Sequence, residues 1–160
     1  MRKVVSNTTP LIALADIGQL ELLKRLYEEV YIPDAVMAEI ESEPARTLVE
    51  KAPWIKKITI KNPEKKALFR SRLHAGEVEA IILAEEIGAE LLIMDDNAAK
   101  KTAKYLGYSV TGSLGILVKS KQKGYIENVG TIMDRLVEDG LYVDQKTRQM
   151  VLKMAGEEME

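Results

Sequence analysis

The sequence contains no cysteine and a single histidine, His74. These absences exclude thiolate metal sites, cysteine nucleophiles, redox pairs and any zinc site built mainly from imidazoles. A metal ion bound by this chain must therefore have oxygen ligands. The lack of cysteine also fits a reducing compartment, so we expect a soluble, cytoplasmic protein.

Long apolar runs and excess positive charge are also absent. No stretch approaches the ~18 uninterrupted apolar residues of a membrane span. With 23 Lys and Arg against 25 Asp and Glu, the formal charge is −2, so contact with a polyanion must be local rather than driven by a global field. Aromatic residues form only 5% of the chain, which predicts no stacking platform for single-stranded bases.

The 160 residues contain no internal repeat and no linker, which predicts one domain spanning 1–160. Short apolar runs alternate with helical patterns, and this alternation predicts a three-layer α/β fold with a parallel sheet. Residues 125–160 form a predicted C-terminal helical extension packed on that domain. The predicted strands are 3–6, 29–32, 55–60, 91–94 and 108–110. The predicted helices are 10–26 (two helices broken near Gly18), 34–42, 45–51, 63–72, 76–87, 96–106, 113–123, 127–139 and 144–155.

Polar residues directly follow two of these strands, at the edge where open α/β sheets bind ligands. Asn7 to Thr9 follow the first strand, and Asp95 with Asp96 follow the fourth. Such residues also cap helices, and Thr9 followed by Pro10 fits a cap and a first helical turn. One aspartate can cap, but the other leaves a carboxylate at a buried strand end, which needs hydrogen bonds or a cation. The sequence alone does not decide between helix capping and ligand binding for these residues.

Further acids occur on two predicted helices. Glu77 and Glu79 lie in the first turn of the apolar helix in "LHAGEVEAIILAEEIG", where acids also interact favourably with the helix dipole. Because they point about 200° apart, we expect one to face solvent and the other the crevice. Glu39, in "PDAVMAEIES", is by itself typical of a solvated helix residue.

Positive charge occurs in clusters. Lys100 and Lys104 share a helix face near the predicted crevice and could contact phosphates, although each cluster also fits a solvated surface. His74 could bind phosphate or cap a helix, and we favour the structural interpretation. The other basic residues in clusters are Lys65, Lys66, Arg70, Arg72, Lys101, Lys119, Lys121 and Lys123.

In chain order, the motifs are strand-Asn-Thr-Thr-Pro, Pro-x-x-Val-x-x-Glu, Gly-Glu-x-Glu-Ala-Ile and strand-Asp-Asp-x-x-Ala-x-x-x-Ala. This combination resembles the PIN-domain family of metal-dependent ribonucleases, in its small prokaryotic branch related to the toxins of toxin–antitoxin pairs. The segments "VTGSLGILVKSKQKGYI" and "MVLKMAGE" resemble the tail of one uncharacterised subgroup, so the likeness covers essentially the whole chain. It implies a five-stranded parallel sheet in the order 3-2-1-4-5, with the ends of the first and fourth strands side by side.

The resemblance also implies a Mg²⁺ or Mn²⁺ site. Most relatives carry aspartate where this chain has Asn7, and asparagine offers a carbonyl oxygen but neither a negative charge nor a base. The implied ligands, which are also the implied catalytic residues, are Asn7, Glu39, Glu77 and Asp95, with Asp96 as an additional ligand and Thr9 as a supporting residue.

The implied function is hydrolysis of RNA by a metal-dependent endoribonuclease, acting as a toxin that an antitoxin protein holds and that could form a homodimer. The alternative is a catalytically impaired PIN-like module that binds RNA or protein, because Asn7 replaces an acidic ligand. A nucleotide-binding α/β protein is a third class. It is disfavoured because the loop "SNTTP" after the first strand contains no glycine.

Overall fold

The computed structural model describes residues 2–69 and 73–157. Its sheet consists of β1 (Val4–Ser6), β2 (Val30–Pro33), β3 (Ile55–Ile58), β4 (Leu91–Ile93) and β5 (Ser109–Thr111). Every pairing is parallel, and the strand order is β3-β2-β1-β4-β5. The predicted α/β class and the implied strand order are therefore confirmed.

The helices follow the predicted pattern with shifted ends. The helix at the first strand begins at Thr8 rather than residue 10, and the one after β2 ends at Glu39 because Ile40 has an extended backbone. Pro63–Leu68 form a 3₁₀ helix, while Arg70, Arg72 and the end of the predicted helix 63–72 lie outside the described residues. The helices are α1 (Thr8–Asp16), α2 (Glu21–Tyr27), α3 (Asp34–Glu39), α4 (Ala45–Lys51), α5 (Ala75–Ile87), α6 (Asn97–Tyr105), α7 (Ser113–Gln122), α8 (Val129–Glu138) and α9 (Gln145–Met154).

Both faces of the sheet are covered by helices. Successive strand side chains point to opposite faces, so Val4 packs into one apolar core and Val5 into the other. The Val4 core includes side chains of α1, α2, α7 and α8, and the Val5 core includes those of α5 and α6. Burial on both faces explains why the central strands β1 and β4 are almost continuously apolar.

Glu157, after α9, connects the C-terminal helices with α7 and with each other. Its carboxylate accepts the N–H groups of Val129 at 2.7 Å and Gly130 at 2.9 Å, and it pairs with Lys121 Nζ at 2.7 Å. Burial alone would raise the pKa of Glu157, but these contacts outweigh it and lower that pKa. The segment after α9 is thereby tied to the start of α8.

The register of the sheet brings three strand ends together. Ser6 is paired with Ile93, and Ile93 with Thr111. The residues that follow β1, β4 and β5 therefore lie along one edge, at the point where the strand order reverses. Within residues 2–69 and 73–157, no helix is long and apolar enough to cross a membrane.

Candidate metal centre

Asn7 occupies the N-cap position of α1 but does not cap it. Its backbone N–H donates to Ile93 O at 2.8 Å, and its side chain makes no capping hydrogen bond. The residue is only 4% exposed, and Oδ1 has no hydrogen-bond partner among the described residues. A buried acceptor left unpaired costs about 1–3 kcal/mol, so the amide oxygen is a group that a ligand would stabilise.

Glu39 lies at the end of α3 and is held by two other elements. Its Oε1 accepts the Thr8 hydroxyl at 2.6 Å, and its Oε2 accepts the Gly76 N–H at 3.0 Å. Glycine at position 76 leaves room for this carboxylate, because a Cβ there would collide with Glu39 Oε1 and lie 3.1 Å from Thr8 Oγ1. Glu39 is therefore not the solvated helix residue that its own segment predicted, since it joins α3 to the starts of α1 and α5.

The hydroxyl group that donates to Glu39 belongs to Thr8, the neighbour of the predicted supporting residue Thr9. Helix α1 begins at Thr8, and successive helical residues point about 100° apart. Thr8 is consequently buried against Glu39 while Thr9 is exposed. The interpretation of Thr9 as the helix cap was wrong for the same reason, since the cap position belongs to Asn7.

Glu77 is a buried carboxyl group in the first turn of α5, 4% exposed. Its Oε1 accepts the backbone N–H of His74, the residue before the helix, at 2.9 Å. Burial raises the pKa of Glu77, and the nearby charges of Asp96 and Glu39 raise it further, against the opposing effect of the His74 N–H. A cation bound beside Glu77 would act in the opposite direction, because positive charge favours the ionised carboxylate.

Glu79 is also buried, so the expectation that one of the two glutamates faces solvent was wrong. Its Oε1 accepts the Ala35 N–H at 3.0 Å, and its Oε2 pairs with Lys66 Nζ at 2.7 Å. Glu79 of α5 therefore binds the start of α3, while Glu39 of α3 binds the start of α5. This reciprocal pair of carboxylate contacts fixes α3, and with it Glu39, against α5.

Both aspartates after β4 accept backbone N–H groups at helix starts. Asp96 caps α6, with Oδ2 accepting the Ala99 N–H at 2.9 Å. Asp95 turns to α7: its Oδ1 accepts the Ser113 N–H and its Oδ2 the Ser113 hydroxyl, each at 2.7 Å. One aspartate therefore caps a helix as predicted, and the other has the hydrogen bonds that a carboxylate at a buried strand end was expected to need.

Of the two predicted phosphate-binding lysines, Lys100 lies at the site. It is half-buried, and its Nζ is 3.0 Å from where a Cβ on Gly112 would stand. Together with Asp95 it lines a cavity of about 240 Å³. Lys104 is exposed and does not line this cavity.

The donor types at this edge fit a hard cation, although the side chains are not arranged around one. Within residues 2–69 and 73–157, no group of three or more His, Asp or Glu side chains could hold a metal ion as it stands. Three of the carboxylates accept hydrogen bonds from the protein instead of converging on one point. They are Glu39, Asp95 and Asp96. Mg²⁺ and Mn²⁺ nevertheless prefer carboxylate and carbonyl oxygens. The unpaired Asn7 oxygen and the raised pKa of Glu77 fit such an ion.

Three residues that donate hydrogen bonds to the candidate carboxylates were not predicted from the sequence. Ser113 carried a usable signal, since it follows β5 closely, as Asn7 follows β1. Gly76, in "HAGE", carried a weaker one, because glycine in the first turn of an apolar helix indicates a close approach. Thr8 could not be distinguished from Thr9 without knowing where α1 begins.

A family model described as a PIN domain matches residues 3–157. The match covers almost the whole chain, and the five-stranded sheet has the strand order that the resemblance implied. The chain belongs to the PIN-domain family. This is a nuclease-type family whose members generally use divalent metal ions. No curated protein and no solved structure matched the chain.

Proposed function

We propose that the protein is an endoribonuclease that hydrolyses RNA and depends on Mg²⁺ or Mn²⁺. The observation that carries this proposal is the Asn7 Oδ1 atom, which is buried and has no partner within the described residues. It lies at the sheet edge that also holds Glu77, whose pKa is raised by burial and by two neighbouring carboxylates. A hard cation would satisfy the amide oxygen and offset that charge.

The residues proposed to hold the cation share this edge of the sheet. They are Asn7, Glu39, Glu77, Asp95 and Asp96. A bound cation of this kind lowers the pKa of water and offsets charge on a phosphodiester. Lys100, beside Asp95, would contact a phosphate of the RNA backbone. Glu39 would give up at least one of its contacts with Thr8 and Gly76 to serve as a ligand.

The test combines a calorimetric Mn²⁺ titration with cleavage of a single-stranded RNA. We expect the wild type to bind Mn²⁺ and to cleave, and Asp95→Asn to lose most of both. Asp134→Asn is the matched control, because Asp134 is an exposed α8 residue paired with Arg148, outside the candidate site. Cleavage that survives Asp95→Asn would overturn the ligand assignment, and a wild type that neither binds Mn²⁺ nor cleaves would overturn the enzyme.

A second candidate is a PIN-like module that binds RNA or protein without turnover. The neutral Asn7 favours it, because one ligand contributes no charge and cannot act as a base. Asn7→Asp separates the two candidates in the same assays. If the wild type is inert and Asn7→Asp gains Mn²⁺ binding and cleavage, the impaired module is correct. If the wild type already cleaves RNA, the impaired module is excluded.

As a partner, we propose an antitoxin protein that holds the nuclease inactive. The support is the resemblance to the toxin-related branch of the PIN family described above. Expression of the chain alone in a bacterial host should arrest growth, and Asp95→Asn should relieve the arrest. Unimpaired growth with full-length, active protein would contradict the toxin role. We also propose a homodimer, which would have twice the mass of the chain in size-exclusion chromatography with light scattering.

A further inference from the structure

Tyr142 is an exposed aromatic residue beside the candidate metal centre. It lies between α8 and α9, and 86% of its surface is exposed. Two cavities adjoin it, one of about 240 Å³ that Asp95 and Lys100 line and one of about 270 Å³ that Thr9 lines. Tyr142 therefore stands between two openings that both reach residues at the carboxyl ends of the strands.

The loop that carries Tyr142 is anchored on both sides. Leu141 and Val143 pack against the larger apolar core, and the Leu141 N–H donates to Leu136 O at 2.9 Å. Asp144 caps α9 by accepting the Thr147 N–H at 2.7 Å. The backbone on either side is thereby fixed, while the ring between them projects to solvent. Such an arrangement suits stacking, because little conformational entropy remains to be lost when a planar ligand binds.

Charge distinguishes the two cavities. Of the described residues that line either one, Lys100 is the single cation. The other cavity carries Asp16 and Asp139 and has no cation among its described lining residues. A phosphate would therefore sit on the Lys100 side. Asp95 and Asp144 also line the Lys100 cavity, but their carboxylates already accept hydrogen bonds from Ser113 and Thr147.

We infer that Tyr142 and Lys100 form a nucleotide subsite for single-stranded RNA, with a base stacked on the Tyr142 ring and its phosphate near Lys100. Base–aromatic stacking tolerates any sequence, because every base has a π-face. The inference rests on the proposed function and extends it by naming a substrate contact in the C-terminal part of the chain. It differs from the expectation from composition that the protein lacks a stacking platform, and the experiment below decides between the two.

The experiment measures equilibrium binding of a fluorescein-labelled single-stranded RNA by anisotropy, with Ca²⁺ and separately with EDTA. Tyr142→Ala should weaken binding by about 5- to 150-fold, the range for one lost base–aromatic stack. Tyr142→Phe keeps the ring and should bind within about twofold of the wild type. Tyr105→Ala is the matched control, because Tyr105 is equally exposed but lines a different cavity on α6. Unchanged thermal melting would show that each variant is folded.

A second probe, an RNA of the same length without bases, separates stacking from charge. Tyr142→Ala should leave its affinity unchanged, whereas an equal loss for both RNAs would overturn the stacking contact. If the wild type binds RNA and Tyr142→Ala binds it equally well, the subsite is wrong and the proposed function stands. If the wild type binds no RNA in either buffer, the proposed function fails, and the subsite fails with it.

Discussion

Replacing Gly76 with alanine should displace Glu39. The new Cβ would lie too close to Glu39 Oε1, and we expect the carboxylate to move away from both the Gly76 N–H and the Thr8 hydroxyl. Two hydrogen bonds to a charged group are worth about 1.5–3 kcal/mol each. The higher helix propensity of alanine offsets up to about 1 kcal/mol of this loss in the free energy of unfolding. The net cost should be about 2–5 kcal/mol, or roughly 4–20 °C in Tm for a domain of this size.

Urea unfolding of a double-mutant cycle measures this cost. In a Glu39→Ala background no carboxylate stands in the way, so Gly76→Ala should cost less than about 1 kcal/mol or be stabilising. An equal cost in both backgrounds, within about 0.5 kcal/mol, would refute the collision as the cause. Gly76→Ala should also reduce Mn²⁺ affinity if Glu39 is a ligand, which the same protein samples can report by calorimetry.

Three further predictions concern the carboxylates. In EDTA, Glu77→Gln should be more stable than the wild type at neutral pH, because the folded state raises the pKa of Glu77 and so disfavours its anion. This advantage should shrink as the pH falls through the raised pKa towards 4.5, since protonation then favours the folded wild type, and a pH-independent difference in Tm would contradict it. Glu157→Gln should cost about 1–3 kcal/mol at pH 7 by weakening the contact with Lys121, and the loss should vanish in acid, as the wild type loses the same stability when the pH falls through the lowered pKa. Asp96→Ala should lower Tm by removing the Ala99 cap and should lower the pKa of Glu77, which carboxyl NMR titration would detect; an unchanged Glu77 pKa would show that the two groups do not interact.

Local patterns predicted most of the elements because periodicity is written into adjacent residues. The helix predicted at 45–51 matches the bounds of α4. The strand predicted at 91–94 is β4, which ends one residue earlier, at Ile93. Gly88, predicted to end its helix, has a positive φ of 67° at the C-cap of α5, where glycine is least strained. The errors lie at the bounds of elements, such as the start of α1 at Thr8 instead of residue 10 and the end of α3 at Glu39 instead of residue 42.

The candidate site was predictable in location but not in its contacts. Asn7 and Asp95 follow strands whose ends meet, so any parallel sheet with this order brings them to one edge. Which donor each carboxylate accepts depends on helix positions that lie far apart in sequence. The binding of Asp95 to Ser113 and of Glu39 to Gly76 are both contacts of this kind.

The sequence by itself determined the α/β alternation, the apolar strands and the set of oxygen donors, because these follow from neighbouring residues and from the absence of cysteine. The tertiary structure alone decided that Asn7 Oδ1 is buried without a partner among the described residues and that Thr8 rather than Thr9 supports Glu39. It also placed Tyr142, from the loop before α9, in the lining of the same cavity as Lys100. The physical reason is that burial and long-range hydrogen bonds depend on how helices pack, which no local pattern specifies.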